Sequence, residues 1–350
     1  MKRENISPAP PSPRAPDRPD VAQIISHGTQ GMLLLSLLLG FVLLVAGGEL
    51  LVKGAVKLAE KFNISPLLIG LTLVGFGTST PELVTSLQAA FAGSPGIAVG
   101  NVVGSNIANI LFILGAAALI SPVVVAKETF KRDGVVLAAA TLLCLGAVMF
   151  GQLTRWMGAL FVLSLAGYIW FAFQQERTAT KTAAAASGVA APASKPSAGA
   201  IVLDLLFVAG GLALTIAGAR FLVSGAIDLA RMFSISETII GLTIVAVGTS
   251  LPELITSVMA SLRKQGDIAF GNIVGSNIYN ILGILGVTAI VKPIPVPAEI
   301  LRLDIWVMIA ATALLAFAAI SRWRIGRTEG AVMLLAYAGY VIWLGLHAGA

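Results

Sequence analysis

Long apolar runs separated by short polar segments make up most of this chain. Each run is long enough to cross the hydrocarbon core of a bilayer as a helix. The pattern therefore predicts an all-α polytopic membrane protein with ten transmembrane helices. The predicted spans cover residues 32–58, 66–92, 96–120, 134–150, 155–174, 201–230, 236–262, 267–290, 304–320 and 329–347.

Two polar segments set the predicted domain organisation. Residues 1–30 are rich in proline and charge and contain no apolar run, so we expect a disordered tail. Residues 176–199 are small, polar and contain proline, which is typical of a flexible linker. This linker separates a first repeat of five helices, residues 31–175, from a second repeat of five helices, residues 200–350.

The two halves are copies of one another. Residues 70–111 (beginning GLTLVGFGTSTPEL) recur as residues 241–282 (beginning GLTIVAVGTSLPEL), with a constant offset of 171 positions and no gap. Because each half has an odd number of spans, the second copy must enter the membrane from the opposite side. Inverted repeats of this kind occur in many secondary transporters, whose binding sites lie near the bilayer midplane where the repeats meet.

Composition supports a membrane protein and removes several classes of function. Hydrophobic residues make up 57% of the 350 positions and charged residues 11%, whereas a soluble domain carries about 25% charged residues. The net charge of +6 fits loop Lys and Arg that orient the helices and does not indicate a nucleic-acid surface. The chain has only two His and one Cys, so it has too few of the residues that a zinc site or a Ser-His-Asp triad requires.

Basic residues are distributed unevenly between the two sets of loops. By the positive-inside rule, the richer set faces the cytoplasm, which predicts a multi-pass protein of the plasma (inner) membrane with both termini outside and the linker cytoplasmic. The basic residues of the N-terminal tail favour the opposite orientation, with the N-terminus in the cytoplasm. The richer set comprises Lys61, Lys127, Lys131, Arg132, Arg177, Lys181, Lys195, Arg263, Lys264, Arg322, Arg324 and Arg327, and the other set Arg155, Arg231, Lys292 and Arg302.

The segment GFGTSTPE at residues 75–82 is a poor continuous helix. Proline removes a backbone donor and clashes with the preceding turn. We therefore expect the second helix to break near residues 78–81 and to free backbone carbonyls around Gly75 and Thr78. The segment AVGTSLPE at residues 246–253 predicts an equivalent break in the seventh helix.

One acid follows each predicted break, Glu82 in the second span and Glu253 in the seventh. An ionised carboxylate near the bilayer centre is costly unless something compensates its charge. In the structural alternative, each Glu is protonated and bonds a neighbouring helix. Two acids at equivalent positions, each beside freed carbonyls, favour a single shared cation site instead.

The third and eighth spans carry polar residues at i, i+4 and i+8, which lie on one helical face. We expect this face to point at the two acids. The small-residue motifs at residues 100–104 and 271–275 favour close helix packing. Asn106 and Asn277 lie off the face, so we expect them to bond between helices. The face comprises Asn101, Ser105 and Asn109 in the third span and Asn272, Ser276 and Asn280 in the eighth.

Carboxylates, carbonyls, amide oxygens and hydroxyls are hard oxygen ligands that suit Ca²⁺ and Na⁺. Two ionised Glu balance one Ca²⁺, so we predict a secondary antiporter that exchanges Ca²⁺ for Na⁺ by alternating access. H⁺/Ca²⁺ exchange at the same two Glu is the alternative, and the abundant Ser and Thr favour Na⁺. The expected partners are these transported ions, which bind transiently, and the lipid bilayer; no cofactor and no nucleic acid are expected.

Two other classes of function fit the sequence less well. An intramembrane enzyme needs a nucleophile beside a base, yet Ser79 and Ser250 have no nearby His or Lys in the sequence. A cation channel predicts an oligomeric ring of sites and not an inverted duplication within one chain. Glu49 and Arg220 occupy equivalent places in the first and sixth spans, where we expect a structural or gating role.

At GTSTPEL (77–83) with GNVVGSNIAN (100–109), and at GTSLPEL (248–254) with GNIVGSNIYN (271–280), the sequence resembles the sodium/calcium exchanger family. The resemblance covers nearly all of residues 40–350 in topology. It implies ten helices in two inverted repeats, a central site between helices 2, 3, 7 and 8, and alternating access by sliding of helices 1 and 6.

The resemblance also implies a ligand set. Ca²⁺ would bind Glu82, Glu253 and the backbone carbonyls of Thr78 and Thr249. Characterised members often have Asp at the position of Asn280, so this chain has two acids in its site where they have three. Na⁺ sites would use Ser79, Ser105, Asn109, Ser250 and Ser276, with the carbonyls of Gly75 and Ala246.

Overall fold

The structure is a computed structural model that describes residues 21–62, 64–187, 197–232 and 246–347. Helices dominate these ranges, and short two-residue strands occur between some of them. The helices are α1 Val21–Phe62, α2 Pro66–Thr78, α3 Thr80–Phe91, α4 Pro95–Ile120, α5 Lys127–Met149, α6 Arg155–Ser187, α7 Ala198–Met232, α8 Ala246–Thr249, α9 Leu251–Leu262, α10 Gly266–Val291, α11 Ile300–Arg322 and α12 Arg327–His347. The strands are β1 Val123–Val124, β2 Gln152–Leu153, β3 Ile294–Pro295 and β4 Arg324–Ile325.

The all-helical membrane architecture is confirmed. Within the described residues, eight helices are long and apolar enough to cross a membrane, and α2 with α3 makes a ninth, broken span. The seventh predicted span is represented by α8 and α9, while its first residues, 236–245, lie outside the described ranges. The predicted tail up to residue 20 and the linker residues 188–196 also lie outside them.

Two predicted boundaries differ from the structure by more than ten residues. Helix α1 begins at Val21, well before the predicted start of the first span at residue 32. Helix α6 continues to Ser187, although we expected the flexible linker to begin at residue 176. The Glu176 carboxylate accepts a hydrogen bond from the Ser65 backbone N–H at 3.0 Å, so the start of the expected linker is packed against the beginning of α2.

The loops pair across the two halves in an exchanged order. Strand β1 pairs antiparallel with β4, joining Val123 to Ile325, and β2 pairs antiparallel with β3, joining Leu153 to Ile294. Ile294 follows Val123 by 171 positions, yet the two residues belong to different sheets. Successive loops of a membrane-spanning chain lie on opposite sides of the membrane. In inverted repeats, equivalent loops of the two halves also lie on opposite sides, so they cannot pair with each other. The pairing of β1 with β4 and of β2 with β3 agrees with this expectation.

Helices α1 and α7 pack along one another through small residues. A Cβ added at Gly211 on α7 would clash with the backbone N–H of Leu51 on α1, so only glycine permits this approach. Lys61 forms an ion pair with Asp204 near the start of α7 and donates to the Ala200 carbonyl at 2.7 Å. Packing and charge therefore join α1 and α7 into one unit.

The remaining helices surround a buried core in which α2 crosses α10. A Cβ added at Gly275 would clash with the Leu71 carbonyl oxygen, so the motif at residues 271–275 permits close packing as predicted. A Cβ added at Gly100 or Gly104 would meet no atom of the described residues within 4 Å, so close packing of the motif at residues 100–104 stays a prediction. The crossing brings the end of α2 beside Asn272 and Ser276, in the first half of α10.

One basic residue that we assigned to a loop is buried. Arg132 lies in α5 and donates from Nε to Asp133 Oδ1 at 2.5 Å and from Nη1 to Gln175 Oε1 at 3.2 Å. The Tyr168 hydroxyl also donates to Asp133, at 2.9 Å. The charge of Arg132 is thus satisfied inside the protein, and it gives no information about which side of the membrane this end of α5 faces.

Candidate cation site

The second span breaks at a single residue, as predicted. Ser79 ends α2 and precedes α3 with φ −82° and ψ 10°, and the two helices meet at a bend of 42°. Ser250 has nearly the same conformation, φ −91° and ψ 9°, between α8 and α9. Pro81 and Pro252 have no N–H to continue the preceding turn, so the same local sequence gives the same break in both halves.

Each acid lies in the first turn after its break and is hydrogen-bonded by a serine of the other half. Ser79 Oγ donates to Glu253 Oε1 at 2.8 Å. Ser250 Oγ donates to Glu82 Oε1 at 3.3 Å. Both carboxylates are 1% exposed. The reciprocal bonds bring both breaks and both acids into one buried site.

Helices α4 and α10 supply further oxygens to this site. Ser250 Oγ also lies 3.4 Å from Ser105 Oγ of α4, and Ser276 Oγ of α10 donates to the Gly75 carbonyl at 3.2 Å. Thr78, which is fully buried, donates to the Asn272 amide oxygen at 3.2 Å. Thr249 is half-buried at the equivalent place in the second half.

The expectation that the break frees the Gly75 carbonyl is wrong. This oxygen accepts from the Ser79 N–H at 3.2 Å, from Thr78 Oγ1 at 3.3 Å and from Ser276 Oγ. Helix α2 continues to Thr78, so the Ser79 N–H still closes the last turn. In helical geometry the donor that proline removes would face the carbonyl of Gly77, four residues before Pro81.

Asn101 and Asn272 do not point at the carboxylates, which corrects the prediction for the start of the polar face. Asn101 Nδ2 donates to the Glu82 backbone carbonyl at 3.1 Å and to Ser86 Oγ at 2.9 Å. Asn272 Nδ2 donates to the Glu253 carbonyl at 3.4 Å and to a serine hydroxyl at 2.9 Å. These amides hold the backbone of each acid-bearing helix, α3 and α9.

The serines that accept these bonds were missed. Ser86 and Ser257 are fully buried and lie one turn beyond the two acids. Both belong to a Thr-Ser pair that recurs 171 positions apart, at residues 85–86 and 256–257. A polar pair kept in both copies of an apolar helix is the signal that could have identified them.

Asn106 and Asn277 do not bond between helices, contrary to our expectation. Asn106 Nδ2 donates to the Val102 carbonyl of its own helix at 2.7 Å, and Asn277 Nδ2 donates to the Ile273 carbonyl at 3.0 Å. Each bond spans one helical turn, because the side chain folds back along α4 or α10. The amide oxygens of both residues are buried and have no hydrogen-bond partner among the described residues.

Among the residues that the structure describes, eleven buried side-chain polar atoms have no hydrogen-bond partner, and six of them belong to the two acids and to Asn109 and Asn280. Burying a polar atom without a hydrogen bond costs about 1–3 kcal/mol, so such a cluster indicates a place where ligands bind. Asn109 and Asn280 lie in the π-helical segments Asn109–Leu114 and Tyr279–Leu285, and such irregular turns are frequent at functional sites. The unpartnered atoms are Glu82 Oε2, Glu253 Oε2, and both amide atoms of Asn109 and of Asn280.

The donor set is oxygen-rich and holds two acids. Across the described ranges, no group of three His, Cys, Asp or Glu side chains lies close enough to hold a metal ion. Carboxylate, amide and hydroxyl oxygens can replace the hydration shell of a hard cation such as Ca²⁺ or Na⁺. The arrangement can therefore bind a small cation through two carboxylates and neutral oxygens.

Glu49 and Arg220, the equivalent pair of the first and sixth spans, lie in different surroundings. Glu49 forms ion pairs with Lys53 on its own helix and with Arg263, which follows α9. Arg263 Nε donates to Glu49 Oε2 at 2.6 Å. Arg220 is exposed on α7. Glu49 thus links the α1–α7 unit to the end of an acid-bearing helix.

Known proteins resemble this chain along almost its whole length. The family model described as sodium/calcium exchanger protein matches residues 32–174 and 203–346. Putative antiporter CaxA of Alkalimonas amylolytica is 41% identical over 311 residues, which cover 87% of this chain and 95% of that protein. Sodium/calcium exchanger MaX1 of Methanosarcina acetivorans is 35% identical over 340 residues, covering 88% of this chain and 97% of that protein.

A solved structure gives the same result for the fold. The sodium-calcium exchanger NCX_Mj, soaked with zero Na⁺ and Ca²⁺, superposes with a TM-score of 0.78 at 30% sequence identity. The match covers 89% of this chain and 99% of that chain. The family model, the relatives and the fold agree with the resemblance carried by the duplicated motifs, and the chain belongs to the sodium/calcium exchanger family.

Proposed function

We propose that the protein is a secondary antiporter that exchanges Ca²⁺ for Na⁺ at the site between Glu82 and Glu253. The observation that carries the proposal is the pair of buried carboxylates, each bonded through Oε1 to a serine of the other half and each with Oε2 unpartnered among the described residues. Ca²⁺ and Na⁺ would compete for these oxygens. Binding one ion would then release the other, which is the requirement for antiport.

The remaining ligands belong to the same proposal. Ca²⁺ would be held by Glu82 and Glu253 with the backbone carbonyls of Thr78 and Thr249. Ca²⁺ binds six to eight oxygens, and Na⁺ carries only one charge. Neutral hydroxyl and amide oxygens around the acids would therefore complete the coordination shells of both ions. These neutral ligands are Ser79, Ser250, Ser105, Ser276, Asn109 and Asn280.

Alternating access would come from movement of the α1–α7 unit across the other helices. This unit is joined by the close approach at Gly211 and by the Lys61–Asp204 ion pair. Its ionic link to α9 through Glu49 and Arg263 is partly exposed and can break and re-form. In the proposed orientation the linker is cytoplasmic and both termini lie outside a plasma membrane.

The test is ⁴⁵Ca²⁺ uptake into proteoliposomes loaded with Na⁺ and diluted into Na⁺-free buffer. A parallel arm uses an outward proton gradient without Na⁺, because H⁺/Ca²⁺ exchange could use the same two carboxylates. We expect uptake in the Na⁺ arm. Uptake in the proton arm alone would replace Na⁺ by H⁺ as the coupling ion, and no uptake in either arm would refute calcium antiport.

The first prediction concerns the two acids. Glu82→Gln or Glu253→Gln should abolish uptake while leaving the fold intact, because Gln keeps the shape and removes the charge that balances Ca²⁺. Glu128→Gln is the matched control, since Glu128 is exposed and paired only with Lys131 in the described contacts. Normal uptake in both site variants, with equal amounts of protein in the liposomes, would refute the site assignment.

A further inference from the structure

We infer that Ser261, together with Thr256, lines the route by which cations reach Glu253 from the linker side of the membrane. The inference rests on the proposed antiport at Glu82 and Glu253, and it adds residues of the route to those of the site. The ligand is a partly dehydrated hard cation, Ca²⁺ or Na⁺, for which a hydroxyl oxygen replaces a water molecule.

A line of polar residues runs along α9 from Glu253 towards the membrane surface. Ser257 and Ser261 follow Glu253 at intervals of four residues, which places the three on one side of the helix. With a helical rise of about 1.5 Å per residue, Ser261 lies about 12 Å along the axis from Glu253. Helix α9 ends one residue after Ser261, and the two residues that follow are exposed. Ser261 thus lies between the buried acid and the polar end of the helix.

Two hydroxyl groups on α9 have no role in holding the described fold. Thr256 is 0% and Ser261 2% exposed, and neither side-chain oxygen has a hydrogen-bond partner among the described residues. The hydroxyl of Ser257 differs, because it accepts from Asn272 Nδ2 at 2.9 Å. A buried hydroxyl without a partner is unfavourable, so its presence indicates a position where a ligand binds in another state of the protein.

The first half of the chain shows that the fold does not require the Ser261 hydroxyl. The equivalent position on α3, 171 residues earlier, is Ala90, which is also buried. Helices α3 and α9 each have 12 residues, so a methyl group fills in one helix the place that a hydroxyl occupies in the other. In inverted repeats these helices end at opposite faces of the membrane. The hydroxyl therefore distinguishes the linker-side route from the route on the other face.

The end of α9 lies on the linker side and is covered by α1. Ile268, at the start of α10, lies against Gly70 of α2, near the beginning of α2 that bonds the end of α6. Ala260, which precedes Ser261, belongs to an apolar cluster with Ala55 of α1. Such a cluster excludes water and ions. Movement of the α1–α7 unit would separate it and bring cations to the hydroxyls of α9.

The test presents Ca²⁺ to one face of the protein at a time. Right-side-out and inside-out membrane vesicles are loaded with Na⁺, and ⁴⁵Ca²⁺ uptake is measured above the background of Glu82→Gln vesicles. Ser261→Ala should raise the Ca²⁺ concentration for half-maximal uptake about fivefold at the linker face, as expected for the loss of one neutral ligand. It should leave this concentration unchanged at the other face. Ser164→Ala is the matched control, because Ser164 is exposed and bonds the Leu160 carbonyl of its own helix.

A second variant tests access to the route directly. Ser261→Cys should react with a membrane-impermeant maleimide added at the linker face and then lose uptake, and it should not react from the other face. Lys264→Cys identifies the linker face, because Lys264 is exposed beside the end of α9. The natural Cys144 is buried and should not react.

Two results would overturn the inference and leave calcium antiport standing. An equal change at both faces in Ser261→Ala would assign Ser261 to support of the central site. An unchanged half-maximal concentration at the linker face would remove it from the route. Absence of uptake by the unchanged protein would refute the antiport itself, so the two failures are distinguishable.

Discussion

Two pairs of asparagines on the same two helices differ in what their amides contact. Asn101 and Asn272 bond the backbone of the acid-bearing helices and a serine hydroxyl beyond each acid. Asn109 and Asn280, about two turns further along α4 and α10, have both amide atoms buried without a partner among the described residues. The residue type is the same in both pairs, and all four side chains are buried except that of Asn101, which is half-buried. One pair donates hydrogen bonds to neighbouring helices, and the other has no partner among the described residues.

This difference distinguishes residues that position the two carboxylates from residues that would bind the ions. An engaged amide fixes α3 or α9, and therefore fixes where the carboxylate lies. An amide that is buried without a hydrogen bond among the described residues costs stability until a partner takes up its oxygen. We therefore interpret Asn101 and Asn272 as positioning residues, and Asn109 and Asn280 as residues that contact the transported ions.

The largest expected difference is in the free energy of unfolding of two variants of the same helix, α10. Asn272→Ala should lower the free energy of unfolding by about 2 kcal/mol more than Asn280→Ala, because it removes bonds to the Glu253 carbonyl, Ser257 and Thr78. The loss of side-chain volume is the same in both variants, so the cavity contribution largely cancels. Thermal unfolding of the purified proteins in detergent, without Ca²⁺, measures the difference.

Equal destabilisation of the two variants would contradict this comparison. So would a greater loss in Asn280→Ala. Asn101→Ala extends the test to α4, where the bonds to the Glu82 carbonyl and Ser86 are removed. It should be less stable than Asn109→Ala.

Much of this distinction could not be predicted from the sequence. The apolar runs predict the ten-helix fold. The duplicated motifs predict the break beside Pro81 and Pro252 and the pairing of Glu82 with Glu253. The i, i+4, i+8 spacing places Asn101 and Asn109 on one face, but it does not show which neighbouring helix each one meets. That depends on the crossing of α3 over α4, which brings the Glu82 carbonyl to Asn101.

The errors at single residues have the same origin. Gly75 keeps its intrahelical partner because the break falls one residue after Thr78, and Asn106 folds back on its own helix. Both outcomes depend on local geometry that the pattern of apolar and polar residues does not contain. The extension of α6 beyond residue 176 depends on a tertiary contact of Glu176 with Ser65.

A smaller effect is expected on stabilisation by calcium. Ca²⁺ bound to the native state raises the unfolding temperature according to its affinity. Asn280→Ala removes a proposed ligand and should lower this affinity about tenfold, which reduces the stabilisation by about 1.4 kcal/mol at saturating Ca²⁺. Asn272→Ala should keep most of the calcium-dependent increase, although it starts from a lower unfolding temperature.

The readout is the difference in unfolding temperature with and without Ca²⁺ for each variant, with Glu253→Gln as the reference for a disabled site. If Asn280→Ala responds to Ca²⁺ like the unchanged protein, Asn280 is not a calcium ligand. If Asn272→Ala shows no rise in unfolding temperature with Ca²⁺, the role of Asn272 is not limited to positioning α9. Either result would contradict the assignment of Asn272 as a positioning residue and Asn280 as an ion ligand.

The smallest expected effect is on the ion dependence of transport. Asn280→Asp keeps the size of the side chain and adds a third carboxylate to the proposed site of Glu82 and Glu253, so its ionised form attracts additional monovalent cation. We expect the Na⁺ concentration for half-maximal exchange to change several-fold, with K⁺ dependence measured in the same assay. Gln265→Glu is the control, because it adds a carboxylate at the N-terminus of the same helix, where the helix dipole tolerates it. Unchanged Na⁺ and K⁺ dependence in Asn280→Asp, with transport intact, would exclude Asn280 from the ions' coordination and return it to a packing role.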